Sequence, residues 1–191
     1  MSTSNRWSLT RRAVGVMLAG MLLAGPAMAA ATATDQATTP AQWHSQKVQF
    51  AWSGFTAFYT CDGLESKVRF ILLTFGARND AKVRAQGCDR AQNKPNKIAW
   101  IEAEFSTLTP AADTSAGDTV QGVWNKVVLA PNRPNEMGLG ECELVEQMRP
   151  MLEKSFSLRN TDYRTTCVPK QISVGDYHVQ TDVLQLQPIT H

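Results

Sequence analysis

Hydrophobic and polar positions along the chain repeat with two different periods, and each change of period marks a new element. Val48, Phe50 and Trp52 alternate with polar or small residues, which is the period of a strand with one buried face. From Asp62 onward, apolar side chains recur at helical spacing and form one stripe: Leu64, Val68, Ile71, Leu72 and Phe75. The pattern therefore predicts a strand followed by a helix.

The ends of this first helix carry their own signals. Asp62 and Glu65 stand at the spacing of a capping box, with Asp62 as N-cap and Glu65 three residues later. Gly76 is placed to end the helix in a left-handed conformation. Residues 81–87 then have the pattern of a short strand, and residues 97–108 that of a longer one.

A second set of elements follows the Pro- and Gly-containing connector from Leu108 to Asp118. Residues 119–129 have the pattern of a strand, and a helix is expected from Cys142 to Phe156. Pro150 lies inside that helix, where proline removes a hydrogen bond and costs about 3 kcal/mol, so we expect a kink or a break near Arg149. Two further strands are predicted, at 162–168 and 176–187.

The two helical regions resemble each other at an offset of 81 residues. The matched pairs are Cys61 and Cys142, Glu65 and Glu146, Phe75 and Phe156, Arg78 and Arg159, and Asn79 and Asn160. The sequence therefore predicts an α+β fold made of two βαββ halves, 46–108 and 119–187, with two helices packed on an antiparallel sheet of one layer or two. Internal duplication is our interpretation, although the polarity of the last strands differs. A ferredoxin-like arrangement is the alternative fold.

Element lengths predict how the four cysteines pair. A helix of about 14 residues beginning at Cys61 rises roughly 21 Å, and the strand that ends at Cys88 returns roughly 23 Å. The same argument applies to Cys142 and Cys167, so we expect the disulfides Cys61–Cys88 and Cys142–Cys167. A redox function is the alternative, because both helix N-termini would stabilise a thiolate, but no Cys-x-x-Cys pair is present.

The first 29 residues have the features of a cleavable signal peptide: an arginine-containing start, an apolar run too short to span a membrane, and the small-residue site Ala27-Met28-Ala29. Arg11 and Arg12 leave the twin-arginine route open beside ordinary Sec export. Residues 30–45 are expected to form a flexible arm before a single domain, 46–191. We therefore expect a periplasmic or extracellular location and no transmembrane anchor after cleavage.

Net charge changes when the leader is removed. The chain has 19 basic and 17 acidic residues, and the leader holds three arginines and no acid, so residues 30–191 carry 16 − 17 = −1. A nucleic-acid partner is not expected from this balance. The local basic excess in residues 78–97 is interpreted as a solvated face.

The densest aromatic segment suggests a binding surface. Strand alternation buries Phe50 and Trp52, whereas Phe55, Phe58 and Tyr59 fall in the loop that leads to Cys61. Most loop aromatics pack over the edge of a core, but aromatic residues are also enriched where partners bind. The candidate binding residues are Trp52, Phe55, Phe58 and Tyr59, with an envelope protein or an apolar ligand as the expected class of partner.

Catalytic and metal-binding patterns are weak in this sequence. It has no nucleophile elbow and no nucleotide-binding glycine pattern, and no cofactor or metal is expected. Glu102 and Glu104 share one strand face, and a second polar face holds Asp176, His178, Gln180 and Asp182; both are interpreted as solvated. The sequence thus favours an exported, non-catalytic binding protein. The alternative is an exported hydrolase with an acidic site drawn from Asp62, Glu102, Glu104 or His178.

Overall fold

Two helices pack on a six-stranded antiparallel sheet, so the predicted α+β class is confirmed. The computed structural model describes residues 37–89, 91–92, 94–112, 119–168, 170–172 and 174–188. In chain order the elements are β1 (Thr39–Ser53), α1 (Cys61–Thr74), β2 (Lys82–Gln86), β3 (Ile98–Pro110), β4 (Val120–Leu129), a 3₁₀ turn (Leu139–Glu141), α2 (Cys142–Ser155), β5 (Leu158–Thr165) and β6 (Tyr177–Leu186).

The strands form one sheet in the order β2-β3-β1-β4-β6-β5. β1 pairs with β3 from Ala41 to Ser53, but it pairs with β4 only from Thr39 to Ala41. Each half therefore contributes three neighbouring strands, and a short contact joins the two sets. This join leaves most of β1 and β4 free to diverge from each other.

Both halves have the element order strand, helix, strand, strand, and their strands occupy mirrored places in the sheet order. At the offset of 81 residues, the apolar positions of β3 align with polar positions of β6, and a shift in offset explains this difference. The buried positions of β3 begin at Ala99 and those of β6 at Tyr177, an offset of 78 rather than 81. Evolutionary duplication stays a prediction, and the ferredoxin-like arrangement is not confirmed.

The start of α1 differs from the expected capping box. Thr60, not Asp62, is the N-cap, and its hydroxyl accepts a hydrogen bond from the backbone N–H of Gly63 at 3.1 Å. The helix therefore begins at Cys61. Its C-terminal end is as predicted: Gly76 has φ = 86°, and the N–H of Ala77 donates to the Leu72 carbonyl in the six-residue closure of a Schellman motif.

A kink or a break was expected near Arg149, and the break does not occur, because α2 is continuous through Pro150. Met148 and Leu152, on either side of the proline, are both buried, while Pro150 itself is exposed. Burial of each such side chain contributes about 2 kcal/mol. That packing outweighs the hydrogen bond that the proline removes.

Two strand boundaries were also predicted wrongly. β1 begins at Thr39, so residues 39–45 belong to the sheet and not to a flexible arm. The sequence of this segment does not have a clear strand pattern. Its backbone is held in the sheet by pairing with both β3 and β4. β5 begins at Leu158 rather than at 162. The expected signal peptide, 1–29, and residues 30–36 lie outside the described residues.

The main core lies between the helices and one face of the sheet. It includes Trp52 from β1, the stripes of α1 and α2, and the inward positions of β3 and β6. Alternation places Leu108 and Leu184 on the opposite face, where they form a smaller buried cluster with Ala41. The helices thus cover only one face of the sheet.

Both predicted disulfides are confirmed. Cys61 pairs with Cys88 and Cys142 with Cys167, with Cα–Cα distances of 5.8 and 5.9 Å. Each closes a helix onto the strand that follows it, as the matched element lengths required. Among the described residues, no helix combines the length and the apolar character needed to cross a membrane.

Candidate interaction site at the loop end

Four loops meet at the end of the domain where both helices begin, and we call this region the loop end. It consists of residues 54–60 and 130–141 together with the described residues of two further loops, 87–89, 91–92 and 94–97 in one and 166–168, 170–172 and 174–176 in the other. Their contacts are direct. Asn96 N–H donates to the Tyr59 carbonyl at 2.8 Å, the Thr56 hydroxyl to the Gly140 carbonyl at 3.2 Å, and the Tyr177 hydroxyl to the Gly138 carbonyl at 3.0 Å.

A buried carboxylate from α2 fixes the loop at 54–60, which we call the aromatic loop. One oxygen of Glu143 accepts hydrogen bonds from the N–H of Phe55 at 2.6 Å, the N–H of Thr56 at 2.9 Å and the Thr56 hydroxyl at 3.0 Å. Charge-assisted bonds of this kind are roughly twice as strong as neutral ones. The backbone of the aromatic loop is therefore preorganised by the other half of the molecule.

The side-chain amide of Gln147 extends this attachment to the end of β1. Its oxygen accepts from the Ser53 N–H at 2.8 Å, and its nitrogen donates to the Ser53 carbonyl at 2.9 Å. A neighbouring strand would satisfy the same two backbone groups in the same way. Gln147 thus replaces a strand partner at the point where β1 has separated from β4.

A reciprocal contact runs from α1 to the loop that precedes α2. The Lys67 ammonium forms an ion pair with a Glu141 oxygen at 2.6 Å and also donates to the Glu136 carbonyl. Burial is the main cause that raises the pKa of Tyr59 above its ordinary value, and the charge of Glu141 adds to that rise. Lys67 therefore attaches α1 to the loop that precedes α2.

The predicted aromatic residues separate into two groups. Trp52 is only 1% exposed and contacts Tyr59 edge-to-face, with ring centroids 5.2 Å apart, so these two rings support the site from below. Phe55 lines a cavity of about 250 Å³ beside Glu146, Gln147 and the Cys142–Cys167 disulfide. Phe58 is 47% exposed and lies under the Lys97 ammonium at 5.3 Å. Of the four predicted binding residues, Phe55 and Phe58 therefore remain as candidates for direct contact with a partner.

Exposed apolar side chains concentrate at this end. Among the described residues, eight large hydrophobic side chains are exposed, and seven of them lie in the loop end or within the first three residues of β3. The seven are Phe58, Ile98, Trp100, Leu139, Val168, Ile172 and Val174. Leu186 lies elsewhere, at the far end of β6. Contiguous exposed apolar patches are typical of interaction surfaces.

Comparison with protein-family models, curated proteins and solved structures finds no match to this chain. The interpretation of the site therefore depends on its own geometry.

The residues of the hydrolase alternative are only partly brought together. Glu102 and Glu104 both pair with Lys47, at 2.8 and 2.9 Å, in an open groove of about 280 Å³. Asp62 lies in the first turn of α1, and His178 lines a different cavity. Hydrogen bonding to Lys47 lowers the pKa of Glu104, whereas the proton donor of a glycosidase needs a raised one. This groove does not favour hydrolysis.

The polar face of β6 is occupied by local interactions. Asp182 accepts a hydrogen bond from the Asn160 amide at 2.8 Å and lies 3.5 Å from the Arg159 guanidinium. Within the described parts of the chain, no group of three or more His, Cys, Asp or Glu side chains is arranged to hold a metal ion.

Several residues of the site were not identified from the sequence. Glu143 and Gln147 are separated by four positions, one helical turn on the polar side of α2, and their role depends on a loop 88 and 94 residues away. The aliphatic side chains between Cys167 and Tyr177 gave a clearer signal. Val168, Ile172 and Val174 stand among Pro, Gly and polar residues in a loop, where burial is not expected.

Proposed function

We propose that this chain is an exported, non-catalytic interaction protein, and that it binds a protein partner of the cell envelope through the loop end. The observation that carries the proposal is the concentration of exposed apolar side chains there. Phe58, Ile98 and Ile172 are 47%, 60% and 88% exposed. Side chains of this size are enriched at the centre of protein interfaces and are unfavourable in contact with water.

The rigidity of the surface supports the same function. Glu143 and Gln147 hold the backbone of the aromatic loop, and the two disulfides fasten the segments that follow each helix. A preorganised surface loses less conformational entropy on binding, so more of the contact energy contributes to affinity. Paired cysteines also fit an oxidising compartment such as the periplasm or the cell exterior.

The test uses a matched pair of variants. Phe58 and Leu186 are both 47% exposed, the first at the loop end and the second at the far end of β6. The tagged protein, Phe58→Ser and Leu186→Ser are each cross-linked in the native envelope fraction, and captured proteins are identified by mass spectrometry. We expect Phe58→Ser to lose the specific partner at least tenfold, which corresponds to about 1.4 kcal/mol, and Leu186→Ser to keep it.

Circular dichroism of both variants must match that of the parent protein, since loss of fold would also remove binding. A second variant, Ile172→Ser, alters the same surface from the β5–β6 loop. If all three variants capture the same proteins in the same amounts, the loop end is not the binding surface.

A further inference from the structure

A cavity of about 530 Å³ lies at the loop end between two fixed loop segments, apart from the aromatic loop. Its volume falls within the roughly 300–1,000 Å³ range of small-molecule sites. One wall comes from the turn after β4 and the other from the residues that lead into β6. The lining combines aliphatic walls with side chains of both charges.

The wall after β4 is a closed turn. Ala130 and Arg133 exchange two backbone hydrogen bonds, at 2.9 and 2.8 Å, and Asn132 takes a left-handed conformation with φ = 61°. Met137 is fully buried, and its carbonyl accepts from the Asn132 N–H at 2.7 Å. The position of Arg133 at the rim of the cavity is therefore set by a turn anchored in the core.

The opposite wall is held by the second disulfide. A side chain at Gly175 would approach the backbone of Cys167 to 2.6 Å, so glycine is required for this close packing. The Thr166 N–H donates to the Asp176 carbonyl at 2.8 Å, and the Asp176 N–H donates to the Thr166 hydroxyl at 2.8 Å. The Tyr177 hydroxyl then joins this wall to Gly138 on the other side. Both walls of the cavity are therefore fixed by contacts within the protein.

Two opposite charges line this cavity without forming an ion pair, and one carboxylate oxygen of Asp176 accepts a hydrogen bond from the N–H of Tyr177 at 2.9 Å. Arg133 and Asp176 are both exposed, and neither forms an ion pair with any residue that the structure describes. The same lining includes the aliphatic side chains of Leu139 and Val174, which are 58% and 59% exposed. A ligand that carried one positive group, one negative group and an aliphatic body would complement all of these features at once.

We propose that this cavity binds an aliphatic α-amino acid. The ligand carboxylate pairs with the Arg133 guanidinium, the ligand ammonium pairs with the Asp176 carboxylate, and the aliphatic side chain covers Leu139 and Val174. His178 is half-buried and lines the same cavity, and in this proposal its imidazole hydrogen-bonds the polar end of the ligand. Leu139 and Val174 also belong to the exposed apolar group of the loop end, whereas Arg133 and Asp176, which would recognise the two charges of the ligand, do not. The proposal therefore does not depend on the proposed function.

The experiment titrates the full chain, with both disulfides intact, against four probes by isothermal titration calorimetry. L-Leucine has all three features, 4-methylpentanoate lacks the ammonium, 3-methylbutylamine lacks the carboxylate, and glycine lacks the side chain. We expect saturable binding of leucine and at least tenfold weaker binding of each of the other three, because a charge-assisted hydrogen bond contributes roughly 1.5–3 kcal/mol.

Variants test the two charges separately. Arg133→Gln and Asp176→Asn should each weaken leucine binding at least tenfold, and Arg133→Gln should no longer distinguish leucine from 3-methylbutylamine. Lys94→Gln is the matched control, because it removes one exposed positive charge from another loop of the same end. Backbone amide shifts on adding leucine should concentrate at 130–133 and 174–178.

The proposal is overturned if leucine shows no saturable binding up to about 10 mM, an affinity too weak for a specific site. It is also overturned if 4-methylpentanoate binds as well as leucine, since Asp176 would then have no part in recognition. Retention of the envelope partner by Arg133→Gln, with leucine binding lost, would establish the two sites as independent.

Discussion

The two halves of this domain have the same element order and one disulfide each, but they differ in how each helix contacts the opposite half. α1 reaches across with one long cation, Lys67, which pairs with Glu141. α2 reaches across with two shorter groups, Glu143 and Gln147, which bind the backbone from Ser53 to Thr56. A repeated topology therefore does not imply repeated interactions.

The physical difference lies in what is held. An ion pair between side chains joins two points, whereas Glu143 and Gln147 satisfy consecutive backbone groups and so define the path of a loop. Among the described residues, the loop bound by α2 carries the exposed ring of Phe58, whereas the loops of the second half carry exposed aliphatic side chains. The first half thus supplies an aromatic group of the loop end, and α2 of the second half fixes the backbone of its loop.

Loss of a disulfide is expected to be the largest effect, and it tests the equivalence of the halves. The sequence separations are 27 and 25 residues, so Cys61→Ala with Cys88→Ala, and Cys142→Ala with Cys167→Ala, should each lower the free energy of unfolding by about 3.5 kcal/mol. Urea denaturation measures both. Values that differ by more than about 1.5 kcal/mol would show that one half depends more on its bridge.

Removal of the α1 contact, made by Lys67, should cause the second-largest loss of stability. Lys67→Met leaves the Glu141 side chain, which is only 10% exposed, without its cation. An uncompensated buried charge costs about 3 kcal/mol. Adding Glu141→Gln to the same protein should recover part of that loss, and a double-mutant cycle in urea measures the coupling. Additive effects of the two changes would mean that the ion pair contributes nothing.

Loss of the Glu143 contact from α2 should destabilise the protein less, and its effect should be confined to the aromatic loop. Glu143→Ala leaves the N–H groups of Phe55 and Thr56 and one hydroxyl without their acceptor, and we expect a loss of about 2 kcal/mol. Hydrogen exchange should accelerate in the aromatic loop more than in β6. Equal acceleration throughout the domain would indicate global destabilisation and would contradict the assigned role.

Gln147 offers the sharpest comparison, because Ser66 occupies the matching position on α1. Gln147→Ala removes two hydrogen bonds to Ser53 and should cost about 1 kcal/mol, whereas Ser66→Ala, at an exposed position, should stay within about 0.5 kcal/mol. Thermal unfolding of the two variants decides this. If they are equally destabilised, the contact between Gln147 and Ser53 has no special importance.

The smallest effect appears only at alkaline pH. Burial is the leading cause that raises the pKa of all three tyrosines, that of Tyr163 to about 12 with help from Glu146. The unfolded chain loses its phenolic protons near pH 10, before the folded protein does, so stability is intact below that pH and falls as pH rises further. Phenolate absorbance should therefore increase near pH 10 in urea and later in the native protein. Coincident titration curves would contradict buried phenols.

Local patterns predicted most of the fold. Helical and strand periods located both helices and the main strands, because the period of side-chain burial is a property of a few consecutive residues. The disulfide pairing followed from the rise per residue of a helix and a strand. The beginning of β1 was missed since residues 39–45 look like an arm until β3 and β4 supply their hydrogen bonds.

The candidate site was predicted less completely. The aromatic segment as a binding site stays a prediction. Trp52 proved to be a core residue, and nothing local marked Glu143 as the acceptor for a loop 88 residues earlier. The sequence equally does not show that Arg133 and Asp176 form no ion pair with the described residues. Whether a charged residue is paired depends on which distant segments the fold brings beside it.

The sequence by itself determined the order of the elements, the C-terminal end of α1 at Gly76, and which cysteines pair, because each follows from a continuous segment of the chain. The tertiary structure alone decided that the halves join through three residues of β1 and that four loops converge at one end. Strand order and loop convergence arise from pairings between residues far apart in the chain. Such pairings depend on the packing of the whole domain, so no short stretch of sequence encodes them.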